Sequence, residues 1–200
     1  MDDPPNFFVA GHKSLVAAGL GTGGARAWLI GDALVLIGEG QARRDLPVAA
    51  IDRIRVGAYD NKFAGKLYQM MLWSPDLPGP ITLSSAKRDE AAFALIACAL
   101  GTALAARQPP GRIEKGLAWL VALAFPLWML GAGSVITLLQ VLNAMQEQGE
   151  SPLVTLGYAA AVFLPITAFV FWLFTWRYMP RNLAGAAEME RFLPGGEEGG

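Results

Sequence analysis

No charged residue lies between Lys115 and Glu147, and none lies between Glu150 and Arg177. A helix needs roughly 20 apolar residues to cross a hydrocarbon core about 30 Å thick, and both runs exceed that length. The sequence therefore predicts two transmembrane helices, over 116–145 and 153–176, joined by a loop at 146–152. Arg107, Arg112 and Lys115 precede the first run and Arg177 and Arg181 follow the second, whereas the loop carries only Glu147 and Glu150. Basic residues concentrate on the cytoplasmic side of a membrane, so this distribution predicts a multi-pass inner (cytoplasmic) membrane protein with both termini cytoplasmic and the loop outside. Trp119, Trp172 and Trp176 fall near the cytoplasmic ends, where indole rings suit the headgroup region.

The two runs also match each other. Pro126 and Pro165 fall near their midpoints, where each frees a backbone carbonyl and bends a helix. Gly131, Gly133 and Ser134 come level with Gly157, Ala160 and Ala161, and small residues let helices approach closely. This seam either closes the hairpin on itself or meets another subunit. Neither run contains Asp, Glu, Lys, Arg or His, the groups that ion paths, proton relays and cofactor ligation inside a membrane require.

The 200 residues, 54% hydrophobic and 16% charged, leave room for one small domain beside the hairpin. A net charge of −1 provides no field to attract nucleic acid. One cysteine, Cys98, and one histidine, His12, exclude an internal disulfide and a multi-cysteine metal site within this chain. Met1-Asp2-Asp3-Pro4-Pro5 has no basic segment before an apolar core, so no signal peptide is expected.

Residues 14–85 read as strands. Ser14 to Leu20 and Ala25 to Ile30 are separated by Gly21-Thr22-Gly23-Gly24, and Gly31-Asp32 separates Ile30 from Ala33 to Ile37, a hairpin signal. Arg43 to Leu46 forms a short run. Ile51 to Tyr59 alternates, with Ile54 and Val56 on one side and Arg53 and Arg55 on the other. Leu67 to Trp73 and Pro80 to Ser84 complete about seven strands around the turn-forming residues 74–79. A helix follows, capped by Ser84 or Ser85, with Phe93, Ile96, Ala97, Leu100 and Leu104 on one face. The run Ala91 to Ala106 is short and alanine-rich, so it reads as a packing helix rather than a third span.

Seven strands and a terminal helix resemble the bacterial pleckstrin-homology-like (PH-like) domains found beside membrane spans. The resemblance covers roughly Ser14 to Arg107 and rests on the hairpin at Gly31-Asp32, the stretch Arg44 to Ile54 and the helix. It implies an α+β membrane protein, in which a PH-like seven-stranded antiparallel barrel with a C-terminal helix is followed by two transmembrane helices. The expected organisation is an N-terminal arm at 1–13, the cytoplasmic domain at 14–108, a linker at 109–115, the hairpin, and a cytoplasmic tail at 177–200. The resemblance implies a binding or scaffolding module in the bacterial inner membrane.

Function is less legible. Gly19-Leu-Gly21-Thr-Gly23-Gly24 satisfies the spacing of a dinucleotide-binding turn, but the helix that chemistry needs is missing after it. Arg53, Arg55, Lys62, Phe63 and Lys66 form a candidate site for anionic lipid, with Phe63 dipping into the interface. The interleaved Asp45, Asp52 and Asp60 favour a plain solvated face. No base stands beside a nucleophile, no metal-ligand spacing occurs, and Cys98 reads as a buried thiol. Residues 183–193 predict a short amphipathic helix, and 194–200 are too polar to order without a partner. The sequence therefore predicts a non-catalytic accessory, scaffold or assembly subunit of a larger inner-membrane complex, with no cofactor. The alternative is a membrane-anchored module holding anionic lipid headgroups.

Overall fold

Nine strands and five helices are seen in a computed structural model, which describes residues 4–61, 65–116, 119–147 and 152–196. In chain order they are β1 (Asn6–Val9), α1 (Lys13–Ala17), β2 (Ala25–Ile30), β3 (Ala33–Gly38), β4 (Arg43–Pro47), β5 (Arg53–Asn61), β6 (Gly65–Trp73), β7 (Ile81–Ser84) and α2 (Glu90–Ala105). There follow β8 (Arg112–Lys115), α3 (Trp119–Glu147), α4 (Pro152–Tyr178), β9 (Arg181–Asn182) and α5 (Ala186–Glu190). The chain divides into two units: residues 1–117 with 180–200, and residues 118–179.

The first unit is built on two sheets. β1-β2-β3-β4 form an antiparallel meander, and β7-β6-β5-β8-β9 form a five-stranded sheet in which β8 runs parallel to β5. This corrects the seven-stranded barrel. Among the described residues the strands do not close into a barrel, because β4 and β5 belong to separate sheets. Two strands arise outside the stretch expected to be β: β1 in the N-terminal arm, and β9 beyond the hairpin. A third, β8, lies in the expected linker.

Ser14 to Leu20 is also not a strand. His12 caps α1 through Nδ1, which accepts from the Ser14 amide at 3.2 Å. Gly19, at φ +82, turns the chain after the helix, a conformation that glycine adopts without a Cβ penalty. The hairpin at Gly31-Asp32 is as predicted, with Ile30 paired to Ala33 and Gly31 at φ +56.

α2 closes the core with the expected face: Phe93, Ile96, Ala97, Leu100 and Leu104 are buried against Phe7, Ile54, Met70 and Leu83. Its start differs from the predicted serine cap. Ser84 ends β7, Ser85 donates its amide to the Tyr68 carbonyl, and a 3-10 turn at Lys87–Asp89 intervenes. The chain beyond the hairpin is integral to this unit. Leu183, Met189 and Leu193 enter the core, β9 pairs with β8, and Met189 meets α2 at Gly101. Residues 183–193 thus contain a short helix that packs on its own domain, and residues 197–200 lie outside the described ones.

The second unit is the helical pair α3 and α4. Among the described residues no helix is long and apolar enough to cross a membrane. Pro165 lies inside α4. α3 carries Gly131, Gly133, Ser134, Thr137 and Gln140, which lower its apolarity. The two transmembrane helices, and the inner-membrane location with both termini cytoplasmic that rested on them, are corrected accordingly. Residues 117–118 and 148–151, within the expected first span and loop, lie outside the described ones.

Candidate functional site

Alternation along β5 puts Ile54 and Val56 into the core and Arg53 and Arg55 on the opposite face of the second sheet. The parallel register of β8 sets Arg112 beside Arg53 and Glu114 beside Arg55, while β6 sets Trp73 opposite Arg53. Glu114 is 7% exposed. Its Oε2 accepts from Arg55 Nε at 2.8 Å and lies 2.7 Å from Arg55 Nη2, and its Oε1 is 3.5 Å from Arg53 Nη1. The Arg53 guanidinium lies over the Trp73 ring, 3.7 Å from its centroid. Arg53 and Arg55 are therefore held by one carboxylate and one indole instead of standing free as an isolated basic pair.

Of the remaining residues of the expected basic site, Lys62 and Phe63 lie outside the described residues, and Lys66 places its ammonium 5.8 Å from the Tyr68 ring centroid. Of the interleaved carboxylates, Asp45 pairs with Arg43 at 2.8 Å, and that guanidinium holds the Asp45 carboxyl below its ordinary range.

A cleft of about 350 Å³ opens at the end of this face, lined by Asp52, Arg53, Trp73, Arg107, Arg112 and the turn Pro109-Pro110-Gly111. Arg107 leaves the end of α2 and donates to the Ile51 carbonyl, which fixes its head group. The Arg112 amide donates to the Asp52 carbonyl at 3.0 Å, anchoring the first residue of β8. Sequence reasoning missed Arg107 and Arg112 as partners of Arg53. They read as flanking charges in the sequence; the parallel β5–β8 pairing sets Arg112 beside Arg53, and the Ile51 carbonyl holds Arg107 at the same end.

The glycine-rich turn does form an anion-accepting loop, and the chain fills it. Glu39 Oε2 accepts from the Thr22 and Gly23 amides at 3.2 and 3.0 Å. Consecutive amides in such a turn suit an oxyanion, and here the oxyanion is a side chain. His12 Nδ1 lies 2.8 Å from Ser14 Oγ, which accepts from the Thr82 amide at 2.9 Å. That pair caps α1 and ties it to β7. Among the described residues no group of three His, Cys, Asp or Glu is placed to hold a metal.

In the second unit, Gly133 is the small residue that the seam uses. A Cβ there would fall 1.7 Å from the Phe163 ring, so the ring lies directly on its backbone. Ala160 is half-buried, whereas Gly131, Ser134, Gly157 and Ala161 are exposed. Ser134 Oγ donates within its own helix to the Leu130 carbonyl at 2.8 Å. The packing is thus an aromatic ring on one glycine, while Gly131, Ser134, Gly157 and Ala161 face outward.

α4 carries an exposed aromatic stripe. Phe169, Trp172 and Trp176 are 60%, 56% and 58% exposed. The Trp172 and Trp176 rings stack with centroids 6.0 Å apart and 6° between planes, and Phe169 lies 6.1 Å from Trp172. Comparison of the whole chain with family models, with curated proteins and with solved structures finds no match.

Proposed function

We propose that this chain is a non-catalytic accessory, scaffold or assembly subunit of a larger protein complex, in which a partner protein covers the apolar faces of α3 and α4. The observation that carries this reading is the stripe Phe169-Trp172-Trp176, together with the exposure of Leu127, Trp128, Ile136, Leu139, Val162 and Leu164 on the same two helices. Contiguous exposed apolar surface beyond a few hundred Å² marks an interaction site, and tryptophan is enriched among the residues that dominate interface energetics. Over residues 119–146 and 152–176 the hairpin carries no charged residue. The partner's surface is therefore apolar as well, since a buried unpaired charge would cost several kcal/mol.

The alternative, anionic lipid held by Arg53, Arg55, Lys62, Phe63 and Lys66, carries less weight because Glu114 already engages both arginines.

The test is native electrophoresis with mass spectrometry of the chain recovered from its own cells in mild detergent, for the wild type and for Trp172→Ala/Trp176→Ala. The wild type is expected in one larger species of fixed stoichiometry. The variant is expected to shift towards the free chain, since loss of one dominant interface aromatic weakens binding by about 30-fold or more. A wild type that runs only as free monomer or dimer overturns the proposal.

A further inference from the structure

The cleft at the end of the second sheet has a charge arrangement that its own residues leave unbalanced. Arg53, Arg107 and Arg112 line it, and Asp52 is the one carboxylate in the lining. Glu114 does not redress the difference, because its single carboxylate is shared between Arg55 and Arg53. Arg53 and Arg112 are direct neighbours across the parallel pair β5–β8, and like charges placed opposite each other on a sheet are destabilising. Among the described residues Arg112 has no ion-pair partner.

Two of the three guanidinium groups are already positioned. Arg53 rests on Trp73 and Arg107 is tied to the Ile51 carbonyl, so the ordering cost of a ligand falls mainly on exposed Arg112. We propose that this cleft binds a phosphate-class oxyanion. With Arg55 and Glu114 counted beside the lining, four guanidinium groups and two carboxylates leave a formal excess of two positive charges, which a phosphate dianion neutralises. The planar fork of arginine matches phosphate oxygens pairwise. The volume, about 350 Å³, lies at the lower end of the roughly 300–1,000 Å³ typical of small-molecule sites, so it has room for a phosphate ester beyond the bare ion.

The experiment is calorimetric titration of the full chain with inorganic phosphate and with glycerol 3-phosphate, alongside flotation with phosphatidylcholine vesicles with and without phosphatidic acid. The variants are Arg112→Gln, Arg112→Lys and, as a remote control, Lys87→Gln. Arg112 is exposed and its fold contact is its backbone amide, so the variants are expected to melt as the wild type does. Phosphate binding is expected to weaken by about tenfold in Arg112→Gln, less in Arg112→Lys, which keeps the charge and loses the fork, and not in Lys87→Gln. Heat with the soluble phosphates identifies a soluble ligand. Binding confined to phosphatidic acid vesicles and lost in Arg112→Gln supports the same oxyanion chemistry with a headgroup as its source. Absence of binding in both arms up to about 10 mM phosphate, ten times above a millimolar site, overturns the proposal, as does equal weakening by Lys87→Gln.

Discussion

Glu114 is the residue on which the outer face of the second sheet depends. Its carboxylate is buried between two guanidinium groups, and side-chain exposures of 11% for Arg55 and 9% for Glu114 leave little water to replace it. Removing one partner of a buried pair leaves the other charged and desolvated. Glu114→Gln is therefore expected to lower stability by about 3 kcal/mol in urea denaturation, whereas Asp45→Asn, at an exposed pair, is expected to leave the urea midpoint unchanged. Cys98 gives a pH prediction. Burial first, and then the Glu190 carboxylate, raise its thiol above the ordinary value of 9.0. The folded chain thus holds the thiol proton more tightly than the unfolded chain. That contribution is complete below the unfolded pKa and is lost as pH rises through the folded one. Thiol labelling at alkaline pH is expected to be slower in the folded protein than in urea, and Cys98→Ser is expected to flatten the alkaline limb of the stability profile.

At the level of elements, legibility followed length and the distance between partners. Ile54 and Val56 declare their strand by alternation, and α2 declares its buried face through Phe93, Ile96, Leu100 and Leu104, because each pattern repeats within one segment. The strands β1, β8 and β9 have four, four and two residues, too few for a period to register, and their partners lie far away in the chain. The helix α1 was misread because Ser14-Leu15-Val16-Ala17 is a short apolar run, which periodicity assigns to strand or helix equally. The arginine cleft is illegible for the same reason as β8: Arg112 meets Arg53 only through a parallel pairing, and Arg107 reaches the cleft from the end of α2. The uncharged runs were legible as helices, yet absence of charge says what a helix lacks and not what covers it. The Gly133 contact with Phe163 predicts that Gly133→Leu forces the two helices apart, at a cost of about 1–3 kcal/mol, read as faster hydrogen exchange of the α3 amides around Gly131 to Val135. Met189→Ala is expected to cost about 2–3 kcal/mol in thermal unfolding, since Met189 is fully buried.

At the scale of the whole molecule, the hairpin interrupts a domain in sequence. The strand before it, β8, and the strand after it, β9, pair with each other, and Leu183, Met189 and Leu193 complete the core. Truncation after Tyr178 is therefore expected to unfold the first unit, observed as loss of its cooperative melting transition, and not merely to release a tail. The domain holds both ends of an apolar helical pair that presents Phe169, Trp172 and Trp176 outward, and the proposed assembly role rests on that presentation. The most direct measurement places a photo-reactive benzoylphenylalanine at position 172 in the full chain and irradiates intact cells, with the same residue at exposed Arg43 as control. The account predicts one adduct with a distinct polypeptide at position 172 and none at position 43. Adducts with lipid alone at position 172, or the same faint adducts at both positions, would contradict it.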